Sequence, residues 1–166
     1  VQLELQQGGR SGTIVAEGTL VVGHASALGD ASQSRAYVQI GTRSSSGRLY
    51  LDGEFAVLRD CTIQRGGPGV IGQMAAATGT FGGSIALAND VTFAPVQGAT
   101  LHVDAVVFGG NDVNIGGRGD TFLNAVNQYT GVTTVTQGRL IINVNAPSGN
   151  DGALGNSTTS VQFGPL

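Results

Sequence analysis

The stretch Gly131-Val132-Thr133-Thr134-Val135-Thr136-Gln137-Gly138-Arg139-Leu140-Ile141-Ile142 decides the reading of this chain, because it has a counterpart near the other end. It runs on to Ala153-Leu154-Gly155 and then to Val161-Gln162-Phe163-Gly164. Near the start, Gly12-Thr13-Ile14-Val15-Ala16-Glu17-Gly18-Thr19-Leu20-Val21-Val22 runs on to Ala27-Leu28-Gly29 and Val38-Gln39-Ile40-Gly41. Four blocks recur in one order with loops of different length between them, so the chain carries an internal repeat. Each block alternates polar and apolar residues over a few positions and then meets a glycine. That is the pattern of a short, half-buried strand followed by a corner.

Working outward, the same style fills the chain. Tyr37 to Ile40, Arg48 to Leu51, Ser84 to Leu87 and Thr100 to Val103 read as further strands. They are rich in Val, Ile, Leu and Thr, which suit a pleated surface. No window of a dozen residues has helical spacing; the nearest, Gln73 to Ala77, is one turn long. Without long helical returns, α/β crossover folds are excluded. The fold class is therefore all-β, a right-handed parallel β-helix (β-solenoid) with no long helix. At roughly 20 residues per rung, residues 1–166 make a single solenoid segment of about seven or eight rungs. Repeat-like blocks lie at 12–41 and 127–164. Leu20 and Leu140 follow matching glycines and should both point inward, with truncation to Ala costing about 2–5 kcal/mol at each.

Composition agrees. Of 166 residues 28 are glycine, against about 7% in an average domain, and corners consume them. Charged residues make up 11%, against about 25%. All 8 basic residues are arginine and the net charge is −3, so there is no basic stripe for a nucleic acid backbone. No apolar run approaches the roughly 20 residues of a membrane helix. Val1 to Leu5 lacks the charged and apolar regions of a signal peptide, so if the protein is secreted its export signal is expected outside this sequence. Cys61 is alone, cannot form an internal disulfide, and reads as a small core filler.

The segment Asn127-Gln128-Tyr129-Thr130-Gly131 with its Thr-Thr strand, Gly138-Arg139-Leu140 and Gly152-Ala153-Leu154-Gly155 resembles the passenger-associated transport repeat of bacterial autotransporters. Gly18 to Val22 with Ala27-Leu28-Gly29 is similar to a second, partial copy. Together they cover about 70 residues, whereas Ser44 to Asp120 matches only in general style. The resemblance implies a right-handed parallel β-helix at a bacterial cell surface or outside the cell. It also implies an adhesive or structural role without a cofactor and, as a possible partner, a host or cell-surface receptor. The translocator barrel of that family is not in this sequence.

β-Helices also serve as carbohydrate-active enzymes and phage tailspikes, which is the alternative expectation; such hydrolases need a pair of carboxylates at a set separation. Asp52 and Glu54 flank Gly53, but Asp-Gly reads as a turn. His102 and Asp104 alternate on one strand and share a face. His24 falls in a loop. Gly116-Gly117-Arg118-Gly119-Asp120-Thr121-Phe122 resembles a calcium nonapeptide with its Asp one place early, in a single copy, and contains Arg118-Gly119-Asp120, the tripeptide of integrin ligands. Asn156-Ser157-Thr158 is a glycosylation sequon. Each has a simpler account as a corner or a solvated face, so the expectation is no catalytic, cofactor or metal site, no nucleic acid partner and no membrane insertion by this segment. Alternating strands reach both ends, at Val1 to Leu5 and Ser160 to Phe163. The expected partner is thus another copy, head to tail through open ends, or the continuation of a longer solenoid.

Overall fold

A computed structural model describes residues 12–29, 37–156, 158 and 160–164. Their strands form three parallel sheets that the chain visits in turn. Sheet A is built from β1 (Gly12–Val15), β3 (Tyr37–Ile40), β6 (Asp60–Ile63), β9 (Ser84–Leu87), β12 (Val106–Gly109) and β15 (Gln128–Tyr129). Sheet B holds β2 (Gly18–Val22), β4 (Gly47–Leu51), β7 (Gly69–Gln73), β10 (Val91–Phe93), β13 (Val113–Ile115), β16 (Thr133–Val135) and β18 (Gln162–Phe163). Sheet C holds β5 (Ala56–Leu58), β8 (Thr78–Gly82), β11 (Thr100–Val103), β14 (Asp120–Leu123) and β17 (Arg139–Ile142). The chain is a β-solenoid of about 6 turns, without helix among the described residues. The one-turn candidate at Gln73 to Ala77 is the end of β7 and a corner.

The turn count falls below the seven or eight expected from the sequence, for two reasons. Rungs are longer than 20 residues as far as Asp112: Ser84 Oγ bonds Asp60 across 24 residues, and the Asp112 amide bonds Asp90 across 22. They shorten later, to 20 at Val132–Asp112 and 19 at Arg139–Asp120. The segments between β2 and β3 and between β17 and β18 lengthen two turns further, so that Gly18 pairs with Gly47 and Thr134 with Gln162.

Inward side chains stack like on like. In sheet B, Leu20, Leu49, Ile71, Phe93, Ile115, Val135 and Phe163 pair one above the next. In sheet A, Val38, Cys61, Ile85 and Val107 do the same. Positions in the middle of these rows, such as Leu49 and Phe93, have 0% exposure. Each such side chain contributes about 1.5–3 kcal/mol by leaving water. The scarcity of aromatic residues is met by this geometry, since a narrow solenoid is filled by medium-sized residues from three sides.

Leu20 and Leu140 both pack against this core but are only partly buried, each lying on the outermost described rung of its sheet. A cost of 2–5 kcal/mol at each is therefore too high, and Leu49 is where it belongs. Nor do the two leucines occupy matching faces. The first repeat block lays its strands on sheets A, B and A (β1, β2, β3), the second on B, C and B (β16, β17, β18). The copies are displaced by one face of the solenoid. The motif specifies a strand, a left-handed glycine corner (Gly18 at φ 82°, Gly138 at φ 71°) and a second strand, and takes no account of which face it lands on. Val1 to Leu5, expected to begin the solenoid, lies outside the described residues.

Candidate functional site

The outer face of sheet C and the corner after it bring together His102, Asp104, Asp120 and Arg139. Outward positions on a parallel sheet stack as inward ones do, so His102 on β11 sits beneath Phe122 on β14. Their rings lie flat on one another, 4.5 Å apart and 10° from parallel. Just past the strand ends, Asp104, Asn124 and Asn143 form a ladder. The Asn124 amide donates to Asp104 Oδ1 at 2.7 Å and to His102 Nδ1 at 3.0 Å, and accepts from Asn143 Nδ2 at 2.7 Å. His102 and Asp104 are thus brought to one face, as their alternation implies. Asp104 Oδ1 and His102 Nδ1 meet a single amide, an arrangement that joins rungs.

The glycine-rich corner resolves differently from either sharp motif. Gly117 has φ 80°, and a Cβ on Gly119 would lie 2.3 Å from the Ala99 carbonyl oxygen. The amides of Arg118 and Gly119 both donate to the Pro95 carbonyl, so the corner is folded down onto the rung below. Arg118 is exposed, whereas the Asp120 carboxylate accepts from Arg139 Nε at 2.6 Å and Nη2 at 2.5 Å. Hydrogen bonding to that guanidinium holds the Asp120 carboxyl below its ordinary value, and the same pairing raises Arg139. The acidic end of Arg118-Gly119-Asp120 is occupied by the chain itself.

The other residues singled out in the sequence are dispersed. Asp52 and Glu54 are both exposed, either side of Gly53 at φ 149°. His24 is exposed and its Nδ1 accepts from the Ser26 amide. Cys61 is buried between Val38 and Ile85, and burial pushes its thiol far above the usual range. Asn156 turns its side chain to Asp151 at 3.0 Å; Ser157 of the sequon lies outside the described residues. Among the described residues no three of His, Cys, Asp and Glu converge on a point.

Two arrangements were missed in the sequence. At the corner between sheets A and B, Asp90 Oδ1 accepts from the Asp112 amide, and Asp112 Oδ1 accepts from the Val132 amide, each at 2.8–2.9 Å. The signal was present as Asn89-Asp90-Val91 and Asn111-Asp112-Val113, two copies one rung apart. The second is Asn127, wholly buried, whose Oδ1 accepts from the Val107 amide and whose Nδ2 donates to the Ala153 carbonyl.

Beyond the last rung lie two grooves. One, of about 440 Å³, runs between Val135, Leu140, Ile142, Leu154 and Phe163; the other, of about 230 Å³, lies among Thr133, Pro147, Leu154 and Val161. Neither is lined by a carboxylate. Comparison with protein-family models, with curated proteins and with solved structures finds no match to this chain.

Proposed function

We propose that this chain is a stretch of an extracellular surface scaffold of the autotransporter-passenger kind, non-enzymatic, whose rigid solenoid carries its loops away from a bacterial cell. The observation that carries the reading is that the residues of the passenger-repeat resemblance each have a structural duty. Asn127 is buried and fully bonded, and Tyr129 is buried with its hydroxyl 2.7 Å from Thr133 Oγ1. Burial pushes the Tyr129 phenol up to about 12. Gly138 and Gly155 take left-handed conformations, and Ala153 has 0% exposure. The polar side chains of the outer face support the same reading, because they bond from rung to rung and stiffen a rod. Antibodies raised against the folded chain should label intact source cells. Labelling that appears only after the membranes are permeabilised would overturn the proposal.

Head-to-tail association with a second copy belongs to this reading. The inward rows of sheets B and C finish on Phe163, 79% exposed, and Ile142, 44% exposed. A parallel strand laid there would cover both and satisfy the edge. Val161→Lys, beside β18, should weaken association measured by light scattering at high protein concentration. A monomer at every concentration, unchanged by the substitution, would remove this part. Leu3, the corresponding position at the other end, lies outside the described residues.

A further inference from the structure

Sheet A ends differently from its neighbours. Among the described residues after β17 none forms a seventh strand on β15; residues 143–156 cross there as a strap. Asn127 and Gly152 pair in an antiparallel bridge, in a molecule whose strands otherwise pair in parallel among the described residues. The Asn127 amide donates to the Gly152 carbonyl at 2.8 Å, and the Gly152 amide returns to the Asn127 carbonyl at 3.2 Å. One step along, the Asn156 amide donates to the Tyr129 carbonyl at 2.7 Å. In a parallel ladder residues 127 and 129 present their backbone groups to the same side, the side a further strand would use. The strap takes the amide and carbonyl of the first and the carbonyl of the second.

We infer that residues 143–156 are an edge guard: they close sheet A against addition of a parallel strand, and Asn127 is the clamp that holds them. Three features fit a fixed strap rather than a passing loop. Asn127 spends both side-chain groups on bridging, down to Val107 of the previous rung and across to Ala153 of the strap. Gly155 is required against Tyr129, since it has φ 69° and a Cβ would lie 2.2 Å from the Tyr129 carbonyl oxygen. Leu154 packs onto the core, while outside Asp151 accepts from both Gln128 and Asn156. An antiparallel crossing of this kind offers no parallel edge in register, which is how a sheet edge is protected without a charged cap. Strand addition at this end is thereby confined to sheets B and C. The inference concerns the edge and stands whether or not the chain is a surface scaffold.

The test uses Asn127→Ala, which removes both clamp bonds, and Gly155→Val, which unseats the strap while leaving the clamp residue in place. Hydrogen exchange reports the Gly152 and Asn156 amides, and light scattering reports association. Both variants should raise exchange in the strap by about 100-fold or more, leave residues 69–115 protected, and associate at about tenfold lower concentration than the parent. Unchanged strap protection in Asn127→Ala would refute the clamp. Strap exchange that rises in either variant without a change in association would refute the guard. Loss of protection throughout 69–115 in both variants would show that the strap belongs to the core, and would overturn the inference as well.

Discussion

The two copies of the strand–glycine–strand block, at 12–41 and 131–164, agree in local conformation and differ in nearly everything around it. Both turn a corner on a left-handed glycine, and both follow with an Ala-Leu-Gly turn whose last glycine is left-handed, Gly29 at φ 89° and Gly155 at φ 69°. Both leucines of those turns, Leu28 and Leu154, rest on the core. The first turn comes one rung before β5, where no described residue joins sheet C, and Arg59 donates to its Gly29 carbonyl. The second stands where sheet A has no further strand and is held by backbone bonds and the Asn127 amide. Sequence repetition in a solenoid thus encodes how to turn. The face is chosen by how many strands came before.

The strongest contrast to break is between an enclosed inward position and inward positions on the outermost described rungs. Leu49 is fully enclosed by Leu20 below and Ile71 above, so Leu49→Ala should cost about 3–5 kcal/mol. Leu20→Ala and Leu140→Ala keep part of the side chain's surface in water already and should cost about 1–2 kcal/mol each. Urea denaturation of the three variants measures this. Equal losses at Leu20 and Leu49 would mean that the first turn is covered as well as the second.

How much of this was legible follows from the residues. Tyr37 to Ile40, Ser84 to Leu87 and Thr100 to Val103 were read with the bounds the structure gives, because each alternates cleanly between glycine or polar corners. Val91–Phe93 and Val113–Ile115 were not, since three residues carry too little alternation to register. Their identity lies in the preceding Asn-Asp corner, whose aspartates bond upward to the next rung. Asp104, Asn124 and Asn143 likewise form a ladder only across rungs, at separations of 19 and 20 residues that no local window spans. The one-face displacement could not be read, because it depends on counting corners that the loops conceal.

The matched corner glycines sharpen the comparison at intermediate scale. Gly18 and Gly138 share a left-handed backbone, so an alanine at either is strained by about 1–2 kcal/mol. Around Gly18 an added Cβ meets nothing within 4 Å. Around Gly138 it would lie 2.5 Å from the Gly119 carbonyl oxygen, a backbone atom of the rung below that cannot turn aside. Gly138→Ala should therefore lose about 3 kcal/mol in all, well beyond Gly18→Ala, when both are read from thermal unfolding. Indistinguishable losses would show that the later corner is looser than its contacts imply.

The smallest expected effect lies on the outer face, where the second block carries an ion pair and the described residues of the first do not. Arg139 on β17 stands at the position of Thr19 on β2, each the residue after its corner glycine, and Arg139 reaches across to Asp120 on the rung before. The Arg139 side chain is 76% exposed, so water and salt screen the pair and its share of stability is modest. Its sign is nevertheless definite. The Asp120 carboxyl lies below its ordinary value in the folded chain because the guanidinium hydrogen-bonds its charged form. On acidification the unfolded chain therefore takes up this proton first. The contribution is complete above about pH 4 and is lost as pH falls through the lowered folded value. Arg139 keeps its charge throughout. Asp120→Asn should lower the melting temperature at pH 7 by no more than about 2 °C, and the gap to the parent should narrow as pH falls below about 4 and in 1 M salt. A gap that persists unchanged at low pH would assign the effect to the shape of the Asp120 side chain at its corner instead of to its charge.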